Sequence, residues 1–343
     1  MTDPESSDDL ILAIETSCDE TAAAVVSSGT DVLSSVVSSQ VDLHVRYGGV
    51  VPEVASRAHV ELLTPVVAQA MVEAGVEPPE LSAVAATYGP GLVGSLLVGV
   101  SAAKALALVW DVPFVAVNHL EAHLYASFIE EPDPEMPLIV LLVSGGHTLL
   151  VLMHGHGDYE VLGQTLDDAA GEAYDKVARH LGLGYPGGPV LDRLAMEGEA
   201  SIRFPRPVMD DGYRFSFSGL KTAVINHLRK NPDVAIEDVA ASFQEAVVDV
   251  LVSKARRAAQ ETGAEGLVIG GGVAANSRLR EAMLDACVSD GLRAYLPSRS
   301  MCTDNAAMVG AVAWWRLRSD GPSPLDTGAD PNLALPVRPA VNL

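Results

Sequence analysis

The chain has 343 residues, 48% of them hydrophobic, which is enough for two domains or one large domain with a full core. Its 45 acidic and 22 basic residues give a net charge of −23, and such a surface repels nucleic acids and anionic membranes unless a local patch reverses its sign. The cysteines Cys18, Cys287 and Cys302 are far apart and form no CxxC pair, which excludes a disulfide framework and is typical of a reducing cytoplasm.

The first half of the chain predicts strands followed by helices. Residues 1–9 are acidic and lack the apolar segment of a signal peptide, so we expect a disordered tail there. "LILAIETSCDETAAAVVSS" predicts strand, polar turn and strand, and "DVLSSVVSS" predicts a third strand. "PEVASRAHVELLTPVVAQAMVEAG" predicts a helix with Gly75 as its C-cap. A strand, a Gly/Pro loop and a small-residue helix are expected in "LSAVAATYGPGLVGSLLVGVSAAKALALVW", and "VPFVAVNH" predicts another strand.

The second half repeats this pattern after the linker-like segment "IEEPDPEMP". "LIVLLVSGGHTLLVLMHG" and "YEVLGQT" predict three strands, and a mostly helical stretch follows from 167 to 262. "EGLVIGGGVAANSRLREAMLDAC" then predicts strand, Gly loop and helix, "LRAYLPS" a strand, and "TDNAAMVGAVAWWRLRS" a last helix. This alternation predicts an α/β fold with two related lobes and a cleft between them.

The expected boundaries follow the restart of the pattern. They are a first lobe over 10–130, a second lobe with a helical insertion over 131–318, and a C-terminal tail over 319–343. An alternative for the last helix is that it packs back on the first lobe. Every strongly apolar stretch is interrupted by Gly, Ser, Lys or His before it reaches membrane-spanning length, so we expect no membrane insertion and a cytoplasmic protein.

Three polar or Gly-rich turns are candidate binding loops. "ETSCDET" (15–21) and "VSGGHT" (143–148) occupy the same place in the two halves, where backbone amides and hydroxyl groups can cradle phosphate oxygens. The alternative is a pair of ordinary hairpin turns. "GGGVAAN" matches the dinucleotide fingerprint, but it lies near the chain end and no acidic residue ends the next strand. A nucleotide contact through Asn276 and a plain strand-to-helix turn both remain open.

"NHLEAH" carries a candidate metal site. On a helix, His119 and His123 are one turn apart and project from the same face. The common helical zinc peptidases need Glu directly after the first histidine, whereas Glu121 lies about 200° round the helix from it. Asp304 is a candidate third ligand, and two histidines with one carboxylate suit zinc or ferrous iron. The alternatives are two unliganded histidines, and Thr303 or Asp304 acting as a helix N-cap.

Nine motifs in one order resemble a known family. They are "IETSCDET", "YGPGLVGSLLVG", "NHLEAH", "LVSGGHT", "GEAYDKVAR", "GYPGGP", "RFSFSGLKTA", "GGGVAAN" and "TDNAAM", and they span about residues 10 to 315. This set is similar to the bacterial branch of the TsaD family, which was once described as sialoglycoprotein endopeptidases. The resemblance implies a two-lobed actin/sugar-kinase/heat-shock-protein (ASKHA) fold with a nucleotide cleft.

The resemblance also implies the reaction and its residues. The family moves the threonylcarbamoyl group of threonylcarbamoyl-AMP to N6 of adenosine 37, in tRNAs that read codons beginning with adenine, and AMP leaves. One divalent ion, Fe²⁺ or Zn²⁺, is implied at His119, His123 and Asp304, and no catalytic residue beyond this site is expected because the mixed anhydride is already reactive. The implied adenylate-binding residues are Leu142, Val143, Ser144, Gly145, Gly146, Asp175, Gly188, Asp192 and Asn276. Glu15, Ser17 and Asp19 form the expected phosphate turn.

The implied partners are tRNA, a smaller paralogous ASKHA subunit of the TsaB type, an ATPase subunit of the TsaE type, and a TsaC-type synthase that supplies the intermediate. Residues 203–230 hold six basic residues against two acidic ones, with aromatic residues interleaved, and we predict that they contact tRNA phosphates. The candidates are Arg203, Arg206, Arg214 and Lys221. The alternative is a loop paired with the acidic surface.

Two other functions remain open at this point. A metallopeptidase explains only the two histidines and lacks its general base. A kinase or a non-catalytic ATP-binding scaffold of the same fold keeps the phosphate turns but does not need His119, His123 and Asp304 together.

Overall fold

The computed structural model describes residues 9–337, so of the tail predicted over 1–9 only Asp9 lies in the described part. The chain divides into two compact units. The first contains residues up to Pro132 together with Asp304–Pro336, and the second contains Asp133–Thr303. The last helix and the segment after it therefore belong to the first unit, whereas the sequence boundaries assign 304–318 to the second lobe and 319–343 to a tail.

The first unit is built on a five-stranded mixed sheet in the order β3-β2-β1-β4-β5. The first three strands form an antiparallel meander, and β4 and β5 are added in parallel to β1. The strands are β1 (Leu10–Glu15), β2 (Glu20–Ser27), β3 (Asp31–Ser39), β4 (Leu81–Gly89) and β5 (Phe114–Asn118). Because β1, β4 and β5 run in parallel, their carboxyl ends meet at one edge of the sheet.

Helices cover both faces of this sheet, which is why β1 reads as an uninterrupted apolar run. Leu12 and Ile14 pack with α2 and α3, whereas Ala13, on the other side of the pleat, faces α11. The helices of the unit are α1 (Val41–Val45), α2 (Pro52–Ala74), α3 (Val93–Trp110), α4 (His119–Glu130) and α11 (Ala306–Ser319), with a short 3₁₀ turn at Pro78–Glu80. The sequence predicts α2 to α4 and α11 but misses the short α1. Gly75 is the left-handed C-cap of α2, as predicted.

The second unit repeats the topology of the first. Its five strands have the order β10-β9-β6-β7-β8, with β6, β7 and β8 antiparallel and β9 and β10 added in parallel. They are β6 (Leu138–Val143), β7 (Thr148–Gly155), β8 (Asp158–Gln164), β9 (Gly266–Gly270) and β10 (Arg293–Tyr295). The repeated order of strand directions agrees with the two related halves that the sequence predicts.

The core of the second unit lies between this sheet and the long helix α8, whose buried residues include Phe243, Val247 and Leu251. The helices are α5 (Ala170–His180), α6 (Gly187–Ala195), α7 (Ser218–Lys230), α8 (Ile236–Thr262), α9 (Ser277–Asp290) and α10 (Arg299–Cys302), with a 3₁₀ turn at Gly272–Ala275. The helical stretch predicted over 167–262 is interrupted between α6 and α7, where residues 196–217 form no regular element.

The segment after α11 runs along the first unit and is held by hydrogen bonds. The amide of Ser323 donates to Phe114 O at 2.8 Å, and the amide of Asp330 donates to Tyr88 O at 2.8 Å. Lys104 donates to Thr327 O. The segment is therefore an ordered part of this unit as far as Pro336.

Helix α3 is the one helix in residues 9–337 that is long and apolar enough to cross a membrane. One of its faces is buried in this unit, where Leu96, Gly99, Val100 and Ala103 pack beside the sheet. Its other face carries exposed Leu97, Leu108 and Val109. An apolar groove of about 770 Å³ lies between α2 and α3, with a wall that includes Leu63, Val67, Met71, Leu106 and Trp110.

Gly310 tests the packing of α11 against the sheet. A Cβ atom at this position would lie 2.6 Å from Val26 Cγ2, so Gly310→Ala should lower the free energy of unfolding by about 1–2 kcal/mol, with overpacking outweighing the gain in helix propensity. Urea unfolding measures this difference. Gly155→Ala is the control, because a Cβ atom at Gly155 meets nothing within 4 Å. Equal stability of the two variants would contradict the close approach of α11.

Candidate metal centre

The helix that carries the two histidines begins directly at the end of β5. Asn118 is its N-cap, and its side-chain oxygen accepts from the amides of Leu120 at 2.9 Å and Glu121 at 3.1 Å. His119 is therefore the first helical residue and His123 follows one turn later. Their rings meet edge to face with centroids 4.8 Å apart, so both histidines point to one place as predicted.

Asp304 completes the constellation from the loop before α11. Its Oδ1 lies 3.1 Å from His123 Nε2 and 3.6 Å from His119 Nε2. The N-cap of α11 is Asn305, whose side chain accepts from the amide of Met308 at 3.1 Å. The capping role that the sequence leaves open for Thr303 or Asp304 is thus taken by the next residue, and the Asp304 carboxylate faces the histidines.

The three side chains fit a divalent metal ion. Their ligand atoms all lie within 4.8 Å of one another. Within the described residues, both ring nitrogens of His123 are buried and neither makes a hydrogen bond. The contact from Nε2 to Asp304 is 3.1 Å long, but it does not have the geometry of a hydrogen bond. Buried polar atoms are rarely left unpaired, and a bound ion would satisfy Nε2, the ring nitrogen that faces Asp304. Two histidines and a carboxylate suit zinc or ferrous iron and leave coordination positions for a substrate.

Glu15 lies behind His119 and was not predicted to do so. Its Oε2 is 3.1 Å from His119 Nδ1 and accepts from Thr87 Oγ1 at 2.6 Å, and its side chain is fully buried. A carboxylate that accepts a hydrogen bond from Nδ1 keeps the proton on that nitrogen and leaves Nε2 free to bind a metal. The sequence groups Glu15 with the phosphate turn, and nothing in a separation of 104 residues connects it to His119.

The carboxylates around the site favour a cation. Burial opposes the charged imidazole, but Asp304 and Glu15 outweigh it and raise the pKa of His119 to about 9. Burial likewise opposes ionisation of Glu15, and the neighbouring His119 outweighs it and lowers the pKa of that carboxyl. Burial together with Asp304 and Asp19 raises the pKa of Glu20 to about 9. This accumulation of carboxyl groups at the edge of β1 and β2 is an environment that a divalent ion would stabilise.

The carbonyl groups of the predicted phosphate turn at 15–21 accept hydrogen bonds from neighbouring elements of the first unit. Ser17 O accepts from Leu92 N at 2.8 Å, Cys18 O lies 3.0 Å from His59 Nε2, and Asp19 O accepts from Gln40 N at 2.9 Å. The front of the turn faces the metal centre, since Ser17 Oγ lies 3.2 Å from His119 Nδ1.

The second turn lies in the other unit, at the carboxyl ends of the parallel strands β6 and β9. Leu142 and Val143 are buried in β6, whereas Gly145 and Gly146 are exposed, and a Cβ atom added at either glycine would meet no other atom within 4 Å. The turn is closed by Ser144, whose hydroxyl accepts from His147 N at 3.1 Å. Two exposed glycines at a strand end make a loop that a phosphate could approach.

The other predicted adenylate residues lie in the same unit, around the start of α6. Asp175 accepts from Gly187 N at 2.8 Å beside Gly188, and burial raises the pKa of this carboxyl. Asp192 accepts from Ser277 Oγ at 2.7 Å, next to Asn276. The Asn276 side chain is engaged within the protein. Its oxygen caps α9 by accepting from Leu279 N at 2.9 Å, and its nitrogen donates to Gln244 Oε1 at 2.7 Å.

Three of the six basic residues in the segment at 203–230 are paired with acidic neighbours. Arg206 pairs with Asp249, Arg214 pairs with Asp211, and Lys221 pairs with Asp168, at 2.5–2.8 Å. The aromatic side chains between them serve the core, since Phe204, Phe215 and Phe217 are buried. Arg203 is exposed and has no ion pair among the described residues.

Glu121 tests the peptidase alternative. Its buried carboxylate accepts from Arg316 Nη2 at 2.7 Å and from Arg316 Nε at 3.1 Å. The carboxylate therefore points to Arg316 and holds α4 to α11. Glu121→Ala should lower the free energy of unfolding by about 2–3 kcal/mol, because a mostly buried guanidinium loses two charge-assisted hydrogen bonds and keeps only its pair with the exposed Asp320, but should leave the bound metal per folded chain unchanged. Thermal unfolding and elemental analysis measure the two effects. Loss of the metal with unchanged stability would contradict this assignment.

Comparisons with known proteins agree with this geometry. A family model described as "TsaD: tRNA N6-adenosine threonylcarbamoyltransferase" matches residues 31–311. A protein of that description from Symbiobacterium thermophilum is 54% identical over 333 residues, covering 96% of this chain and 98% of the relative. Another from Halalkalibacterium halodurans is 53% identical over 332 residues, covering 95% of this chain and 96% of the relative.

Solved structures resemble the chain at low sequence identity and so show its fold alone. HypF from T. kodakarensis matches with a TM-score of 0.65 at 17% identity, covering 93% of this chain and 48% of HypF. Component A of the Acidaminococcus fermentans (R)-2-hydroxyglutaryl-CoA dehydratase matches with a TM-score of 0.55 at 14% identity, covering 91% of this chain and all of that one. These matches confirm the predicted ASKHA-type α/β fold. From the family model and the two relatives, the chain belongs to the TsaD family of tRNA N6-adenosine threonylcarbamoyltransferases.

Proposed function

We propose that this threonylcarbamoyltransferase takes the threonylcarbamoyl group from threonylcarbamoyl-AMP and places it on N6 of adenosine 37 in tRNAs that read codons beginning with adenine. The observation that carries the proposal is the constellation of His119, His123 and Asp304 in a chain of this family. A peptidase would need Glu121 as its base, and that carboxylate is paired with Arg316.

The bond changes require no protein nucleophile. The N6 nitrogen of adenosine forms a bond to the carbamoyl carbon, the bond from that carbon to the phosphate oxygen of the anhydride breaks, and AMP leaves with the electron pair while N6 loses a proton. The leaving group is already activated, so the protein must mainly orient the two substrates and stabilise the charge that develops on the phosphate.

His119, His123 and Asp304 would hold one divalent ion, Fe²⁺ or Zn²⁺, which supplies Lewis-acid chemistry and a template for an oxygen ligand when it is bound. The residues behind the site keep the ligands in place. Glu15 accepts from His119 Nδ1, and Thr87 in turn donates to Glu15, so that Nε2 of His119 stays available.

The adenylate is assigned to the second unit. The amides of the exposed glycines Gly145 and Gly146 suit the departing phosphate, and Asp175 and Asp192 suit hydroxyl groups of the ribose or of the threonyl group. Leu142 and Val143 support the loop as part of β6, Gly188 leaves the start of α6 open, and Asn276 places α9. In the first unit, Ser17 and Asp19 remain the proposed phosphate contacts of the turn, while Glu15 serves His119.

Partner proteins are proposed from the family resemblance. They are a smaller paralogous subunit, an ATPase subunit and a synthase that delivers threonylcarbamoyl-AMP, in a cytoplasmic pathway. A protein partner also accounts for the groove between α2 and α3, since Val72 and Val109 on these helices are each 79% exposed. Apolar surface of this kind is typical of protein contacts.

The His119→Ala, His123→Ala double variant tests the metal centre. It should lose the bound metal and lower the transfer of labelled threonylcarbamoyl to tRNA by more than about 100-fold, because outer-shell changes alone cost 10–100-fold. Elemental analysis and product counting measure the two effects in the presence of the partner proteins. His180→Ala, which removes an exposed histidine from the end of α5, is the control and should change neither. Transfer at the normal rate by the double variant would reject the proposed role of the metal.

Arg203→Ala tests the proposed tRNA contact. Because this exposed guanidinium has no acidic partner in the described residues, its loss should weaken tRNA binding and reduce the slope of log affinity against log salt by about 1. Binding is measured at several salt concentrations. Arg57→Ala, which removes an exposed arginine paired with Glu53 on α2, should leave the slope unchanged. An unchanged slope for Arg203→Ala would place the tRNA surface elsewhere.

A further inference from the structure

A buried polar cluster lies behind the 15–21 turn, outside the metal ligands. It consists of Thr21 on β2, Gln40 before α1 and His59 on α2, each at most 1% exposed. Three polar side chains at one buried place carry a desolvation cost that apolar residues of similar size would avoid. Their hydrogen bonds therefore need an explanation.

The hydrogen bonds define the tautomer of His59. Nε2 lies 3.0 Å from Cys18 O, and because a carbonyl oxygen only accepts, Nε2 carries the proton. Nδ1 then accepts, with Thr21 Oγ1 at 2.8 Å and Gln40 Nε2 at 3.2 Å. Burial lowers the pKa of His59, which agrees with a neutral ring that has one donor and one acceptor.

Of the three contacts to carbonyl groups of the turn, only one depends on a side chain, and the Thr16 hydroxyl also ties the turn to Ser95 O at 2.9 Å. Ser17 O and Asp19 O are held by backbone amides, of Leu92 and Gln40, whereas Cys18 O is held by His59. A substitution at His59 therefore removes the central contact and leaves the outer two in place.

The held turn bears directly on the metal centre. Ser17 presents its hydroxyl 3.2 Å from His119 Nδ1, and its amide donates to the second oxygen of Glu15. The turn whose backbone His59 holds thus places the Ser17 hydroxyl, and together with Thr87 it fixes the Glu15 carboxylate that faces Nδ1 of His119.

We propose that His59 is a positioning residue for the metal centre, which holds Cys18 O so that Ser17 and Glu15 orient the imidazole of His119. This inference rests on the proposed metal site. His59 touches neither the metal ligands nor a substrate, and its effect passes through the backbone of the turn.

Two amide variants separate positioning from packing. In His59→Gln the side-chain nitrogen falls near the place of Nε2 and can still donate to Cys18 O, whereas in His59→Asn it falls near the place of Nδ1 and does not reach. The probe is Co²⁺, which is added to the metal-free protein. Its affinity and its visible absorption spectrum report the geometry of the ligands. His59→Asn should bind Co²⁺ about 10–100-fold more weakly with an altered spectrum, the scale of an outer-shell loss, and His59→Gln should recover most of both.

Leu63→Ala is the stability control, since Leu63 is buried one turn further along α2 and packs in the apolar core. It should lower the unfolding temperature while leaving Co²⁺ affinity and spectrum as in the wild type. In the transfer assay, His59→Asn should lower kcat and His59→Gln should recover most of it.

The outcomes distinguish a failure of the positioning role of His59 from a failure of the proposed metal site on which it rests. Absence of Co²⁺ binding by the wild-type protein would overturn both. Wild-type binding with the same affinity and spectrum in His59→Asn, or equal losses in His59→Asn and His59→Gln, would overturn the positioning role alone. A loss in His59→Asn that His59→Gln restores would support it.

Discussion

The contact between the Glu15 carboxylate and Nδ1 of His119 is the interaction on which the proposed metal centre depends. A fully buried carboxylate is stable only when its oxygens are hydrogen-bonded, and here Thr87, Ser17 and His119 supply those bonds. The same contact decides which imidazole nitrogen is left for a metal. The stability of the buried acid and the orientation of the ligand are therefore one requirement.

The topology of the first sheet makes this contact possible. Glu15 ends β1, Thr87 lies near the end of β4, and Asn118 ends β5 and starts the helix of the two histidines. Since these strands are parallel and adjacent, their carboxyl ends meet at one edge. In the second unit, the loop of Gly145 and the loop of Gly271 stand at the corresponding ends of β6 and β9. Each unit thus carries its proposed binding groups at the same kind of edge.

The charge of the chain has a local and a global aspect. Carboxyl groups concentrated near Asp304 suit a cation, while Arg206, Arg214 and Lys221 in the predicted tRNA segment are already paired with acids. The three exposed basic residues that remain, Arg203, Arg229 and Lys230, carry little of the attraction that a polyanion needs when the net charge is −23. This imbalance agrees with the proposal that partner subunits contribute to the tRNA surface.

The sequence by itself determined the α/β alternation, the repeated strand openings and the His119–His123 pair, because these depend on periodicity and on spacing within one element. It also excluded the peptidase base, since the angle between two positions on a helix follows from their separation. Only the tertiary structure decided that Asn305 caps α11, that α11 belongs to the first unit, that Glu15 orients His119 and that the aromatic residues near Arg203 are core. These depend on contacts between residues far apart in the chain, and local patterns do not determine such contacts.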